Sequence, residues 1–120
     1  MSDRHSLGPQ GEELAAGYLV RQGFRIRHRN WRSGRSEVDI IAENEQYIVF
    51  VEVKSRSADF AVHPAQAVSV PKQRTIINAA SNYIDTYGIF KEARFDIITV
   101  IISGNSHELD HIENAYYPTM

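Results

Sequence analysis

Residues Glu37 to Arg56 read EVDIIAENEQYIVFVEVKSR. Two apolar, β-branched runs, Glu37 to Ala42 and Tyr47 to Lys54, flank the short polar segment ENEQ. The pattern predicts two strands joined by a hairpin turn and apolar enough for the middle of a sheet. The second run then departs from its own rule. Its alternation continues into Glu52 and Lys54, placing a carboxylate and an ammonium on one face of a strand that otherwise reads as core.

With ENEQ as the loop, Ala42 pairs with Tyr47, and Asp39 falls opposite Phe50 and diagonal to Glu52. Asp39, Glu52 and Lys54 then converge at one end of the hairpin, and Glu37 points the same way. Desolvating such a cluster costs roughly several kcal/mol per unpaired ion. A divalent cation offsets that cost, and two carboxylates, a carbonyl and waters suit Mg²⁺ or Mn²⁺. A metal held by Asp39 and Glu52 would bind a phosphate oxygen and help deprotonate water, with Lys54 orienting the nucleophile. The plainer reading is a solvated charge pair at a strand end, and an E-x-K triplet alone arises often by chance. Against it stands the combination: Asp in one buried strand, E-x-K in the next, an acid in the preceding helix and a basic loop alongside.

Outward from the hairpin, the chain alternates helix and strand signals. Gly8-Pro9 opens a helix whose Leu14, Ala15, Tyr18 and Leu19 form one apolar face, with Glu12 and Glu13 in its first turn and Gly23 as its cap. Phe24 to Trp31 alternates as a strand with one wet face, and RSGRS is a loop. After a loop, SRSADFAVHPAQAV, with a brief helical turn, Pro71 starts a helix that runs to Tyr87 and closes at Gly88. Its buried stripe is Ile76, Ala79, Ala80, Tyr83 and Ile84. Arg94 to Ile102 is a further buried strand, and a last strand follows the SGNS turn. The order predicts one α/β domain, residues 1–120 with its core at about 9–117, around a central mixed sheet.

Composition narrows the chemistry. The 120 residues are 42% hydrophobic and 23% charged, which is ordinary globular material. No cysteine is present, so thiolate nucleophiles, disulfides and Cys-type zinc sites are excluded. No apolar run is long enough to cross a bilayer, and MSDRHSLGPQGEE lacks the apolar region of a signal peptide, so the expectation is a cytoplasmic protein that does not engage membranes. Net charge is −2, yet Arg25, Arg27, His28, Arg29, Arg32 and Arg35 crowd one acid-free stretch. That stretch is either a phosphate-tracking surface or a wet strand face; beside a metal site, backbone contact by Arg32 and Arg35 is favoured. Trp31 reads as core rather than as a base-stacking platform. His63, beside Pro64, has no evident partner.

HELDH, His107 to His111, matches the zinc-protease pattern H-E-x-x-H, which needs both histidines on one helical face. Here the segment alternates as a strand, where positions four apart lie about 13 Å from each other, too far to share a zinc.

The segments GEELAAGYL, GF, RNWR, EVDIIA, VFVEVKSR, AVSVPKQ, RFDIITV and HIENAY, in that order, resemble the YraN-like family of uncharacterised bacterial proteins over Gly11 to Tyr117. That family is similar in turn to archaeal Holliday-junction resolvases and the restriction-endonuclease-like PD-(D/E)xK superfamily. The resemblance implies a three-layer α/β/α core and Mg²⁺-dependent phosphodiester hydrolysis. By it, Asp39 matches the motif aspartate, Glu52 and Lys54 match E-x-K, and Val53 lends its backbone carbonyl to the metal. Glu12 matches a helix glutamate able to approach a second metal, and Gln73 the accessory glutamine. Ser36 stands where the family usually has Gly. Arg56, Lys72 and Arg74, after E-x-K or at a helix start, are phosphate contacts or simple surface charges.

The resulting expectation is a Mg²⁺- or Mn²⁺-dependent endonuclease on DNA, including branched or structured DNA, with homodimerisation expected by analogy. The alternatives are a nucleic-acid-binding or protein-interaction scaffold on the same fold and, more weakly, an enzyme on RNA or small nucleotides.

Overall fold

The computed structural model describes residues 4–58 and 68–116. His63, Pro64 and most of the loop expected to hold a helical turn lie outside the described residues, as does Tyr117. The elements follow in the order α1 (Arg4–Arg21), β1 (Arg25–Ser33), β2 (Ser36–Glu43), β3 (Tyr47–Ser57), α2 (Val70–Tyr87), β4 (Glu92–Ser103) and β5 (Ser106–Ile112). The strands form one sheet in chain order. β1–β2, β2–β3 and β4–β5 are antiparallel, while β3–β4 is parallel, so the sheet is mixed as expected. The parallel pair requires a crossover, and α2 supplies it.

Period-two alternation sorts β3 and β4 between two cores. Ile48 and Phe50 join Phe95, Ile97, Ile76, Ala80 and Tyr83 beneath α2. Val49 and Val51 join Ile98, Val100, Ala15 and Leu19 beneath α1. A helix thus covers each face of the sheet, giving an α/β/α arrangement compatible with a restriction-endonuclease-like core. Trp31 packs against the α2-side core, its ring edge-on to Tyr83, as the sequence suggested. Among the described residues no helix is long and apolar enough to cross a membrane.

Helix α2 follows its sequence signals closely. The Ser69 side chain accepts from Lys72 N, Pro71 occupies the first turn, and Gly88 closes the helix in the left-handed region (φ 62°). Helix α1 departs from them. It begins at Arg4 and runs through Pro9, so Glu12 and Glu13 sit in mid-helix rather than in the first turn. A proline this near the start sacrifices only the bond to the carbonyl of residue 5, which the following apolar turns outweigh.

The β2–β3 register also differs from the expectation. Ala42 pairs with Val49, and Glu43 with Ile48. The cause is Asn44, whose side-chain oxygen accepts from Gln46 N and Tyr47 N while its own N–H donates to the Tyr47 carbonyl. Only Glu45 and Gln46 remain in the loop. A two-residue slip preserves every facing direction but moves Asp39 from diagonal to level with Glu52.

Candidate functional site

Beyond Phe50, the next β3 position on the α2 side is Glu52, which lies past the body of α2 and meets its first turn. The ladder between β2 and β3 runs only as far as Ile40↔Val51. Past that point the Asp39 side chain replaces it: Val53 N donates to Asp39 Oδ2 at 2.8 Å. Asp39, Glu52, Glu37 and Ser36 line one cleft of about 550 Å³ with Arg35 from the β1–β2 turn and Ser69, Pro71, Lys72 and Thr75 from the start of α2. The opposing helix end carries the positive pole of the α2 dipole.

The cleft is electrostatically uneven. Burial, then the Glu52 carboxylate, push the Asp39 carboxyl up to about 7, with Glu12 adding to the effect and the Val53 N–H and Lys72 opposing it. Lys72 Nζ sits 2.8 Å from Glu52 Oε2, and that hydrogen bond holds the ammonium pKa above its usual value. Glu52 is buried, whereas the Lys72 side chain is 49% exposed.

The cleft therefore unites Asp39, Glu52, Arg35 and Lys72 from the sequence-expected site, and bonds Val53 into it. Other expected residues take different positions. Lys54 is half-buried on the strand face of Glu52 but makes no hydrogen bond or ion pair among the described residues. Glu12, on α1, lies 3.8 Å from Arg29 and reaches Asp39 by its charge rather than by lining the cleft. Gln73 donates its amide to the Val68 carbonyl at 2.8 Å, tying the helix start to the incoming chain. Arg56 donates to the Ser55 carbonyl at 3.0 Å, and Arg74 is exposed.

The arginine-rich stretch divides into two uses. Arg25 and Arg27 pair with the buried Glu43, which Lys91 also reaches, and Arg29 pairs with Glu12 and Glu13. Arg32 and Arg35 make no ion pair among the described residues.

Sequence reasoning passed over two further groups. Thr99 lies beside Lys54 in the β3–β4 ladder, and Tyr116 stacks on Phe95; both hydroxyls are buried without a hydrogen-bond partner among the described residues. Burial, then Glu52, raise the Tyr116 pKa, so its phenol stays neutral within the field of the site. A hydroxyl in an apolar strand and a tyrosine in a tail carry no spacing that would have flagged them.

As a donor set, Asp39 and Glu52 offer hard carboxylate oxygens in a cleft roomy enough for water, which fits Mg²⁺ or Mn²⁺ better than a softer ion. Among the described residues no three His, Cys, Asp or Glu side chains cluster for metal binding. The fit is thus to a metal that takes two carboxylates and completes its shell with backbone carbonyl and water, as Mg²⁺ commonly does. HELDH lies within the strand Ser106–Ile112, and His111 bonds Asp96 and Tyr18 instead of sharing a ligand with His107.

An α/β/α chain with an aspartate and a glutamate presented by neighbouring strands at a helix start is the class that these observations define. The comparisons place it more narrowly. The model of the uncharacterised protein family UPF0102 matches residues 11–100, and the chain belongs to that family. A UPF0102 protein of Bacteroides thetaiotaomicron is 43% identical over 120 residues, spanning 100% of this chain and 99% of the relative. Relatives in Chlorobium phaeobacteroides (43% identical, 96% of each chain) and Porphyromonas gingivalis ATCC 33277 (42% identical, 97% of this chain and 87% of the relative) carry the same family name.

Proposed function

We propose that this protein is a Mg²⁺- or Mn²⁺-dependent endonuclease that hydrolyses phosphodiester bonds in DNA, including branched or structured DNA. One observation carries the reading: Asp39 and Glu52, at the same level of neighbouring strands, share a half-buried cleft with two cationic side chains. The similarity to Holliday-junction resolvases and the wider PD-(D/E)xK superfamily supports it by analogy only.

Asp39, Glu52 and the Val53 carbonyl would hold the metal, with Glu12 the candidate for a second. Bound there, the ion would supply Lewis acidity to a phosphate oxygen. Asp39 must be deprotonated to serve, and its raised pKa makes that step sensitive to neutral pH. Lys54, uncommitted to any other group among the described residues, orients the attacking water. Arg35 and Arg32 neutralise backbone phosphates along the approach, and Arg56 and Arg74 extend that surface. RNA is the alternative polymer, and a homodimer would let two sites act on paired strands.

The test is cleavage of labelled duplex, single-stranded and four-way-junction DNA with Mg²⁺ or Mn²⁺, comparing wild type with Asp39→Ala and Lys54→Ala. Metal-dependent cutting abolished in both variants supports the reading. Intact substrate with retained, salt-sensitive binding would instead favour a nucleic-acid-binding scaffold on the same fold. That second reading draws on the Lys72–Glu52 ion pair, which neutralises Glu52 with no metal required.

A further inference from the structure

The position of Lys72 carries a consequence for how such a cleft is loaded. Its ammonium reaches from the first turn of α2 to Glu52 Oε2, and also feels Asp39 and Glu37. No other cation pairs with Glu52 among the described residues. A single positive charge therefore does the neutralising that a divalent ion would do. The two compete for one carboxylate. Cations within about 4 Å of one another repel strongly in a partly buried site, and Glu52 Oε2 already accepts a hydrogen bond from Lys72 Nζ.

We propose that Lys72 is a built-in counter-cation: a divalent metal enters by displacing its ammonium from Glu52, and the freed ammonium then holds a backbone phosphate of the nucleic acid. The proposal rests on the metal-site reading above and adds the regulation of that site. Its parts are already arranged for the exchange. The Lys72 side chain is 49% exposed and swings into solvent without disturbing packing, while Glu52, at 9%, stays put. The Ser69 side chain holds the backbone of Lys72 through its N–H, so the helix start remains fixed when the side chain leaves. The released ammonium joins Arg35 in the same cleft lining, above the acidic floor. Metal and polyanion thereby favour each other, and the coupling is reciprocal for the two affinities.

The experiment is calorimetric titration of Mn²⁺ into wild type, Lys72→Met and Lys72→Arg, followed by fluorescence anisotropy of a short DNA duplex with and without Ca²⁺. Lys72→Met removes the competitor and is expected to bind Mn²⁺ about tenfold more tightly, the scale of one partly buried ion pair. Lys72→Arg keeps a cation there and stays near wild type. Ca²⁺ should raise DNA affinity for wild type and lose most of that increment in Lys72→Met. Equal or weaker Mn²⁺ binding by Lys72→Met overturns the counter-cation role while leaving the metal site standing. Absence of Mn²⁺ binding in all three proteins overturns both. Binding by Lys72→Met alone supports the displacement in its strongest form.

Discussion

Asp39 Oδ2 accepts the Val53 N–H at 2.8 Å where the β2–β3 ladder has just ended, so a carboxylate stands in for a backbone carbonyl as the partner of β3. The contact ties the orientation of the acid to the register of the hairpin. It also means that changing Asp39 tests structure and chemistry together, and the two must be separated by choice of substitution.

Asp39→Asn keeps an acceptor for Val53 and removes the charge. Because burial and Glu52 raise the Asp39 pKa from 3.8 to about 7, the folded protein holds this proton more tightly than the unfolded chain. Its contribution to stability is full below pH 3.8, declines as pH rises through about 7, and is level above that. The whole effect is at most about 4 kcal/mol. Thermal denaturation in EDTA from pH 5 to 8.5 is therefore expected to show Asp39→Asn gaining on wild type as pH rises. Parallel profiles would refute the charge penalty.

Saturating Mg²⁺ should offset part of that penalty in wild type. At ten times its dissociation constant, a ligand specific for the folded state stabilises by about 1.4 kcal/mol, or a few degrees in Tm. Asp39→Asn and Glu52→Gln are expected to lose most of this rise. A rise undiminished in both variants would place the metal elsewhere.

Lys54→Ala should leave Tm within about one degree of wild type, since Lys54 makes no hydrogen bond or ion pair among the described residues. Cleavage should fall by about 100-fold or more if the ammonium positions the water. A large drop in Tm would mark Lys54 as a structural residue and remove its proposed role.

On the opposite face of the sheet, in the strand beside Val51, Asp96 is fully buried and accepts from Arg94 Nε and Nη2, His111 and Asn114 N. Burial alone would raise its pKa, and the bonds from His111 and Arg94 outweigh it, leaving the carboxyl below the usual value. The sign is opposite to that of Asp39: this stability is present above the ordinary carboxylate pKa and is lost as pH falls through the depressed one. Asp96→Ala strands the buried Arg94 and should cost about 3–5 kcal/mol in urea denaturation. A loss under 1 kcal/mol would show the network to be ornamental.

Local signals and non-local ones parted company in this chain. Ser69, Pro71 and Gly88 announce both ends of α2 in the sequence, because caps act within a few residues. The strands around the hairpin were legible for a similar reason: alternation is a short-range code. The hairpin register was not, since it turned on Asn44 folding its side chain onto Gln46 N and Tyr47 N. Asp39 and Glu52 still emerged on one face because a two-residue slip leaves facing unchanged. What no spacing conveyed was partnership across the fold: Lys72 with Glu52, Arg29 with Glu12, His111 with Asp96. Those pairs exist only after distant elements dock.

Gly11 illustrates how closely they dock. A Cβ at this position would collide with the Ser55 side chain, so α1 approaches β3 at a distance only glycine permits. Gly11→Ala is expected to destabilise by about 1–3 kcal/mol and to weaken metal binding through the shifted strand end.

The order of elements along the chain has a further consequence, in the time dimension of synthesis. Asp39 and Glu52 belong to one hairpin, whereas Lys72 belongs to the helix that follows it. A ribosome adding about 5–20 residues per second exposes the acid pair one to several seconds before its neutralising lysine. Until α2 has been made and has docked, Glu52 lacks the ion pair it has in the folded chain, so the charge balance of the cleft is completed only late in synthesis.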